Sequence, residues 1–591
     1  MQKRWPRVIC VLRLLSLALL AAMAAISLPA ADEFQGLPQV GYSQAASSAI
    51  APAQSSRLPS QPPEPPAQSL PANPLGDAKA LVRKGDFDAA IGKYQQLLHE
   101  RPNSPDAFAG LARVYLKKND VAQAYETVTT GLRVTDSWPV RVALGEVYFR
   151  QGKIPEAEKE WVDVINSGHQ APRAYLGLAR VRWAISMRKS ARAMIEKAHE
   201  LDPKDPDIEQ RWLGTLSRRE RIEHLENDLA ASSPDDAARP DMQHHLELLK
   251  ATAGSDQSCA LVSTVASTET PMIRMLIDPQ HLRGYGLSVG VNGAKIKLLL
   301  DTGSSGILMD RGMAERAGVT KIAETRIAGI GDQGSKAGYV ALASSIRIGD
   351  LEFRDCPVRV VESRSVVGQD GLIGADVFED FLVDIDFPTE KLRLHGLPKR
   401  PNETTNPKIT LNVGDKDGDL EKSDEEPAPN LEETKSTPPN PSGPEDRYIS
   451  PEMKSYTSIY RFGHDLLIPT KIGDKPAKLF LLDTGSVGNM ISADAAREIT
   501  KVDRDSHAVL KGLSGSVTKV YTARKAVLQF GHLRQENQEM LAFDLSSISN
   551  HAGTEVSGTL GFAMLHLLEI KIDYRDGLVD FTYDPQRSLH F

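Results

Sequence analysis

The chain has 591 residues, of which 41% are hydrophobic and 25% charged, and its net charge is −8. That length exceeds a single compact core and predicts about three to four domains. The mild acidity, with no basic stripe carrying interleaved aromatics, excludes nucleic acid as an expected partner.

Lys3, Arg4 and Arg7 precede an apolar run from Leu14 to Leu28, followed by Pro29-Ala30-Ala31 and then Asp32 and Glu33. A basic start, a short apolar stretch and a small-residue exit predict an export signal over residues 1–31, and so a periplasmic or secreted protein. Left uncleaved, the same segment would hold the chain at a membrane. Residues 32–74 are rich in Pro, Ser, Gln and Ala, as in Ser60-Gln-Pro-Pro-Glu-Pro-Pro, and read as a disordered spacer with too little apolar surface to fold.

Residues 75–250 predict a helical repeat domain. Pro105, Pro139, Pro172 and Pro206 recur with a period of about 34 residues, and Ala90, Ala124, Ala157 and Ala191 keep the same series. Leu111, Leu144 and Leu178 mark the preceding helix, with Gly85, Asn119 and Gly152 in the turns between. The small Ala lets antiparallel helices approach, and Pro is expected to stop the second helix of each hairpin. A hairpin cannot bury its apolar face alone, so neighbours stack into a solenoid. The period and the placement of small residues resemble tetratricopeptide repeats, which implies a protein partner bound through this domain.

From residue 280 the texture becomes strand-like. Two β-rich units are expected, over 280–398 and 456–591, separated by an acidic linker over 399–455. In that linker Asp415, Asp417, Asp419 and Glu426 loosely echo a calcium loop, but Leu420 stands where the loop needs Gly. Cys259 and Cys356 allow at most one bridge, so either unpaired thiols or a single disulfide would fit. No Cys and His spacing typical of metal ligands occurs, and no metal or other cofactor is expected. Gly329-Ile330-Gly331-Asp332-Gln333-Gly334 matches a dinucleotide fingerprint by letter but lacks the strand-helix-strand setting.

The two β units carry the same landmarks. Asp301-Thr302-Gly303-Ser304 follows Leu298-Leu299-Leu300, and Asp483-Thr484-Gly485-Ser486 follows Phe480-Leu481-Leu482. A Gly-containing turn comes next in each unit after a near-equal interval, beginning at Gly329 and at Gly512. Leu372-Ile373-Gly374 and Thr559-Leu560-Gly561 follow, and Asp386 and Asp573 lie the same distance past the glycine of each. The economical explanation is internal duplication.

These motifs resemble the aspartic peptidases: the unit length is close to retropepsin-like domains, and two units on one chain is similar to the bilobal arrangement of pepsin. The resemblance covers about 280–396 and 460–585. It implies an aspartic-type endopeptidase acting on a peptide or protein, with Asp301 and Asp483 as the catalytic pair. Two carboxylates held about 3 Å apart cannot both ionise readily and share a proton, so one can take a proton from water while the other donates to the scissile carbonyl. By the same resemblance Thr302 and Thr484 would hydrogen-bond across the interface, and Gly303 and Gly485 would allow the tight turns. Ser304 and Ser486 would hydrogen-bond the outer carboxylate oxygens. The hairpin at Ile330-Gly331 would close as a flap, with Leu513-Ser514 as a counterpart and Tyr339 roughly where pepsin has its flap tyrosine. Asp386 and Asp573 are read as structural or surface-facing. The fold expected is thus an all-α repeat solenoid followed by two all-β peptidase-like domains. Two alternatives stay open: each unit could complete its site with a second chain, or the whole could be a non-catalytic peptide-binding scaffold.

Overall fold

The computed structural model describes residues 73–232, 239–252, 259–327, 336–363, 366, 369–401, 409–411, 446–499, 502–505, 510–512, 515–517 and 519–587. The expected signal, the first spacer and most of the acidic linker lie outside the described residues. No described helix is long and apolar enough to cross a membrane.

Antiparallel helix pairs open the described chain: Pro74–Arg83 with Phe87–Glu100, Pro105–Lys117 with Val121–Val134, Trp138–Arg150 with Ile154–Asn166, and Pro172–Ala184 with Arg188–Leu201. Helices Pro206–Leu213, Arg218–Ala231 and Arg239–Thr252 follow. Ala90, Ala124, Ala157 and Ala191 are fully buried, as close helix packing requires. Gly85, Asn119 and Gly152 turn the chain with φ of 76°, 60° and 71°, and Ser186 takes the fourth such position at 62°. One expectation is corrected. Pro105, Pro139, Pro172 and Pro206 do not stop the second helix; each stands at the first or second position of the next helix. There the missing N–H would have had no partner, and the fixed φ already suits the helix.

The two β domains are built alike. In the first, strand Ala294–Asp301 pairs antiparallel with His281–Val291 through the Asn292-Gly293 turn, and parallel with Gly371–Gly374, so that Gly374 stands beside Asp301. In the second, Lys478–Asp483 pairs antiparallel with Asp465–Ile472 and parallel with Gly558–Gly561, setting Gly561 beside Asp483. The repeated apolar-apolar-Gly landmark is therefore the strand that flanks each Asp-Thr-Gly turn.

A shared sheet of six strands joins the domains. Phe381–Asp386 of the first runs antiparallel to Leu568–Asp573 of the second, with Val383 opposite Ile572. Asp386 and Asp573 sit in this sheet, and both are fully buried rather than surface-facing. Asp386 accepts from the Thr389 N–H, Arg393 and Arg587, and Asp573 accepts from the Asp576 N–H. Cys259 and Cys356 form a disulfide, tying the chain entering the first domain to strand Leu351–Val361. The second domain packs on the repeats: Leu467, Leu479, Leu481 and Val556 share one apolar cluster with Phe149, Ile154 and Trp161.

Candidate active site

Asp301 and Asp483 close their strands at the centre of the joined domains. Behind them the two turns are clamped reciprocally. The Thr302 N–H donates to the Thr484 hydroxyl at 3.0 Å, and the Thr484 N–H donates to the Thr302 hydroxyl at 3.0 Å. Each hydroxyl then donates across the interface, Thr302 to the Leu482 carbonyl at 2.7 Å and Thr484 to the Leu300 carbonyl at 3.0 Å. Both threonines are buried, so each N–H and hydroxyl of the clamp has a partner where water is excluded. Within one chain, then, the two half-sites meet.

The clamp brings the two carboxylates into hydrogen-bonding contact with each other. A Cβ added at Gly303 would lie 2.9 Å from the Asp483 carboxyl carbon, and one at Gly485 would press still closer on Asp301. Each glycine is needed for the space it leaves to the opposite acid. Burial pushes the Asp301 carboxyl above the ordinary range, and burial with the Asp301 charge pushes Asp483 well above it. Asp483 is buried and Asp301 half-buried, and like charges in contact disfavour double ionisation, so a pair of this kind favours holding one proton between them. The Arg283 guanidinium works against this rise on both acids, and also donates to the Gly485 carbonyl at 2.6 Å.

The serines are a correction. The Ser486 hydroxyl turns away to the Gly488 carbonyl at 3.1 Å, and no hydroxyl bond from Ser304 to Asp301 forms among the described residues. Backbone N–H groups hold the carboxylates instead, from Gly303 to Asp301 and from Ser486 to Asp483, each at 2.9 Å. The tight turn points these N–H groups at the acids, and the Ser486 hydroxyl faces elsewhere. Ile330, Gly331, Leu513 and Ser514 lie outside the described residues. Strands Thr320–Ile327 and Lys336–Ile348 pair antiparallel on either side of residues 328–335. Tyr339 sits on that second arm under Lys321, and the charges that act on it are Lys321, Glu315, Glu362 and Arg311 rather than the paired acids.

Four residues near the pair are not singled out by the sequence. Asp376 lies beneath the first turn, 1% exposed, accepting from the Ser305 hydroxyl at 3.0 Å and the Gly306 N–H at 3.0 Å. Burial pushes it up to about 6. It stands two positions past Gly374, but Ala563 holds that place in the second unit, so matching the duplicates hides it. Arg283 lies on the strand that precedes its Asp, and the same interval before Asp483 falls on Asp465, so the duplicate offers no matching cation. His464 and Asp465 lie near the pair as well, and burial pushes Asp465 up to about 7.

Comparison with known proteins agrees with this geometry. The aspartyl protease family model matches residues 287–377 and 468–564, the segments that carry the two half-sites. A tetratricopeptide repeat model matches residues 81–139. Both β domains are aspartyl-protease-like, and tetratricopeptide repeats precede them. The UBA domain-containing protein Mud1 of Schizosaccharomyces pombe is 31% identical over 131 residues, 22% of this chain and 38% of that protein. DNA damage-inducible protein 1 of Chaetomium globosum is 27% identical over 168 residues, 27% of this chain and 37% of that protein. The chain thus spans under two fifths of the length of either relative. A crystal structure of a thermophilic TPR protein from Thermus thermophilus aligns over 24% of this chain and 95% of its own, at 23% identity and a TM-score of 0.18.

Proposed function

We propose that the protein is an exported aspartic endopeptidase in which Asp301 and Asp483 of one chain activate a single water. The ionised acid takes a proton from that water as its oxygen attacks the scissile carbonyl carbon, while the protonated acid donates to the carbonyl oxygen. When the tetrahedral intermediate collapses, the acid that took the water's proton gives it to the amide nitrogen, the other acid takes back a proton from a diol hydroxyl, and the C–N bond breaks to release amine and carboxylic acid with the pair again holding one proton. The observation that carries this reading is the contact between buried Asp483 and half-buried Asp301, made by the reciprocal Thr302–Thr484 clamp. The experiment is hydrolysis of an unfolded protein by wild type, Asp301→Asn and Asp483→Asn. Loss in both single variants supports one shared site. Half the activity in either favours two sites, each completed by a second chain. No hydrolysis by wild type between about pH 3 and 7 favours the non-catalytic scaffold.

Export is supported by the sequence of residues 1–31 and by the Cys259–Cys356 bridge, since structural disulfides persist in oxidising compartments. Cell fractionation with N-terminal sequencing of the mature chain tests it; an intact residue 1 in a reducing compartment would refute it.

The repeats are assigned to partner or substrate recruitment. A cavity of about 670 Å³ on the repeat domain carries seven Lys and Arg side chains against the acids Glu146 and Asp207. Burial, with Arg211 beside it, lowers Arg180 there to about 10. An excess of partly desolvated guanidinium groups suits an acidic segment of the recruited protein.

A further inference from the structure

His464 and Asp465 enter strand Asp465–Ile472 directly after the Gly463 turn, and His551 lies on helix Ser546–Ala552. Taking one ligand atom from each, all lie within 4.8 Å of one another. His464 Nε2 is 3.3 Å from Asp465 Oδ1, and the two imidazole rings are 5.6 Å apart. Asp465 is only 3% exposed, yet no Lys or Arg pairs with it among the described residues. A carboxylate taken out of water without a cation is disfavoured in its charged form, which a bound cation would offset. Asp386 in the same domain pair shows the ordinary remedy, with Arg393 and Arg587 both on its carboxylate. At Asp465 the neighbouring groups are two imidazoles, whose ring nitrogens can act as metal ligands.

We propose that His464, Asp465 and His551 form a binding site for a divalent transition-metal cation of the zinc class. Two imidazole nitrogens and one carboxylate oxygen are a borderline donor set that suits Zn²⁺ or Co²⁺ and not Ca²⁺ or Mg²⁺, which take mostly oxygen. Zinc–nitrogen bonds of about 2.0–2.1 Å in tetrahedral geometry set ligand atoms roughly 3.4 Å apart. The His464–Asp465 separation of 3.3 Å already fits. His551 is exposed, so rotation of its side chain closes the remaining gap and gives the ion a way in from solvent. Three protein ligands leave a fourth position for water.

The site has a consequence for the molecule because of where it lies. Helix Ser546–Ala552 touches the repeats through Asn550, whose side chain accepts from Arg150 at 3.2 Å, and Phe462 before the Gly463 turn packs edge-on against Phe149. His464 also stands within electrostatic reach of Asp301 and Asp376. A cation there would pin the seam between repeats and second β domain, a short distance from the paired acids.

The test is isothermal titration of Zn²⁺ into the full, untagged, chelator-treated protein, with the visible absorption of bound Co²⁺ as a second readout. Wild type is expected to bind one ion per chain. His551→Ala and Asp465→Asn are each expected to weaken binding at least tenfold, with His551→Ala unfolding at the same temperature as wild type in EDTA. Absence of a saturable site in wild type overturns the proposal, and so does unchanged binding in His551→Ala. Should Asp465→Asn fail to fold, His551→Ala decides alone. A negative result leaves the peptidase reading untouched, because the titration reads no hydrolysis.

Discussion

The two β domains share a backbone plan and differ in what surrounds it. Their Asp-Thr-Gly turns exchange the same hydrogen bonds in both directions, and each sits beside a parallel strand ending in glycine. Beneath the turns the symmetry ends. The first turn rests on buried Asp376, which also ties Ser305 and Gly306; the second rests on Asn489, whose side-chain oxygen accepts from the Gly561 N–H at 2.8 Å. Beside the acids the first domain offers Arg283, whereas the second offers His464 and Asp465. The clamp has to be symmetric, because each threonine is the other's partner. Its supports are under no such constraint, so the halves of a duplicated chain diverge there.

Substitutions at the acids test the shared plan most severely. Asp301→Asn and Asp483→Asn should each lower peptide hydrolysis by about 10³-fold or more, and the double variant should be little worse than either, since groups acting as a unit are non-additive. A steady-state assay of the three variants checks this; additive losses would separate the two halves into independent sites. Next comes the space between the acids. Gly485→Ala and Gly303→Ala should each depress activity by about 10²-fold by displacing the opposite carboxylate, Gly485→Ala more severely because its added Cβ would meet Asp301 more closely. Equal losses would show that the turns relax alike.

The clamp itself is read by stability. Thr302→Val and Thr484→Val each strand two buried hydrogen-bonding groups of the other turn, for a cost of about 2–4 kcal/mol in urea unfolding. The two costs should match, and the double variant should cost less than their sum. Unequal costs would mean that the clamp is less symmetric than its distances. The smallest effect concerns charge. Arg283→Gln keeps a donor for the Gly485 carbonyl but removes the positive charge that holds both acids down. With that charge gone the shared proton is lost at higher pH. The alkaline limb of the pH–activity profile should therefore move up by about 0.5–1 pH unit. An unmoved limb would remove Arg283 from the electrostatics of the pair.

Much of this is legible in the sequence because it is local or repeated. The alanine and leucine register, the left-handed turns at Gly85, Asn119 and Gly152, and the two Asp-Thr-Gly strands depend on residues near one another along the chain. The prolines mark the helix boundaries correctly but invite the wrong role, since a proline at a boundary serves either neighbour. Ser304 and Ser486 mislead because a hydroxyl and a backbone N–H compete for the same carboxylate oxygen, and only the turn geometry says which points inward. Asp376 escapes because its duplicate position holds Ala563, and Arg283 because its role depends on a carbonyl 202 positions away.

Two half-sites are evident from the residues alone, since strand, turn and acid are each encoded within a few positions. So is the repeat solenoid, whose period is a property of spacing alone. That the half-sites meet within one chain follows from long-range packing. The pairing rests on four hydrogen bonds between residues 180 to 184 positions apart and on a sheet that both domains complete. The same holds for the His464, Asp465 and His551 cluster. Its members converge only because a strand entry and a distant helix pack side by side, and packing, unlike periodicity, leaves no mark on the order of residues.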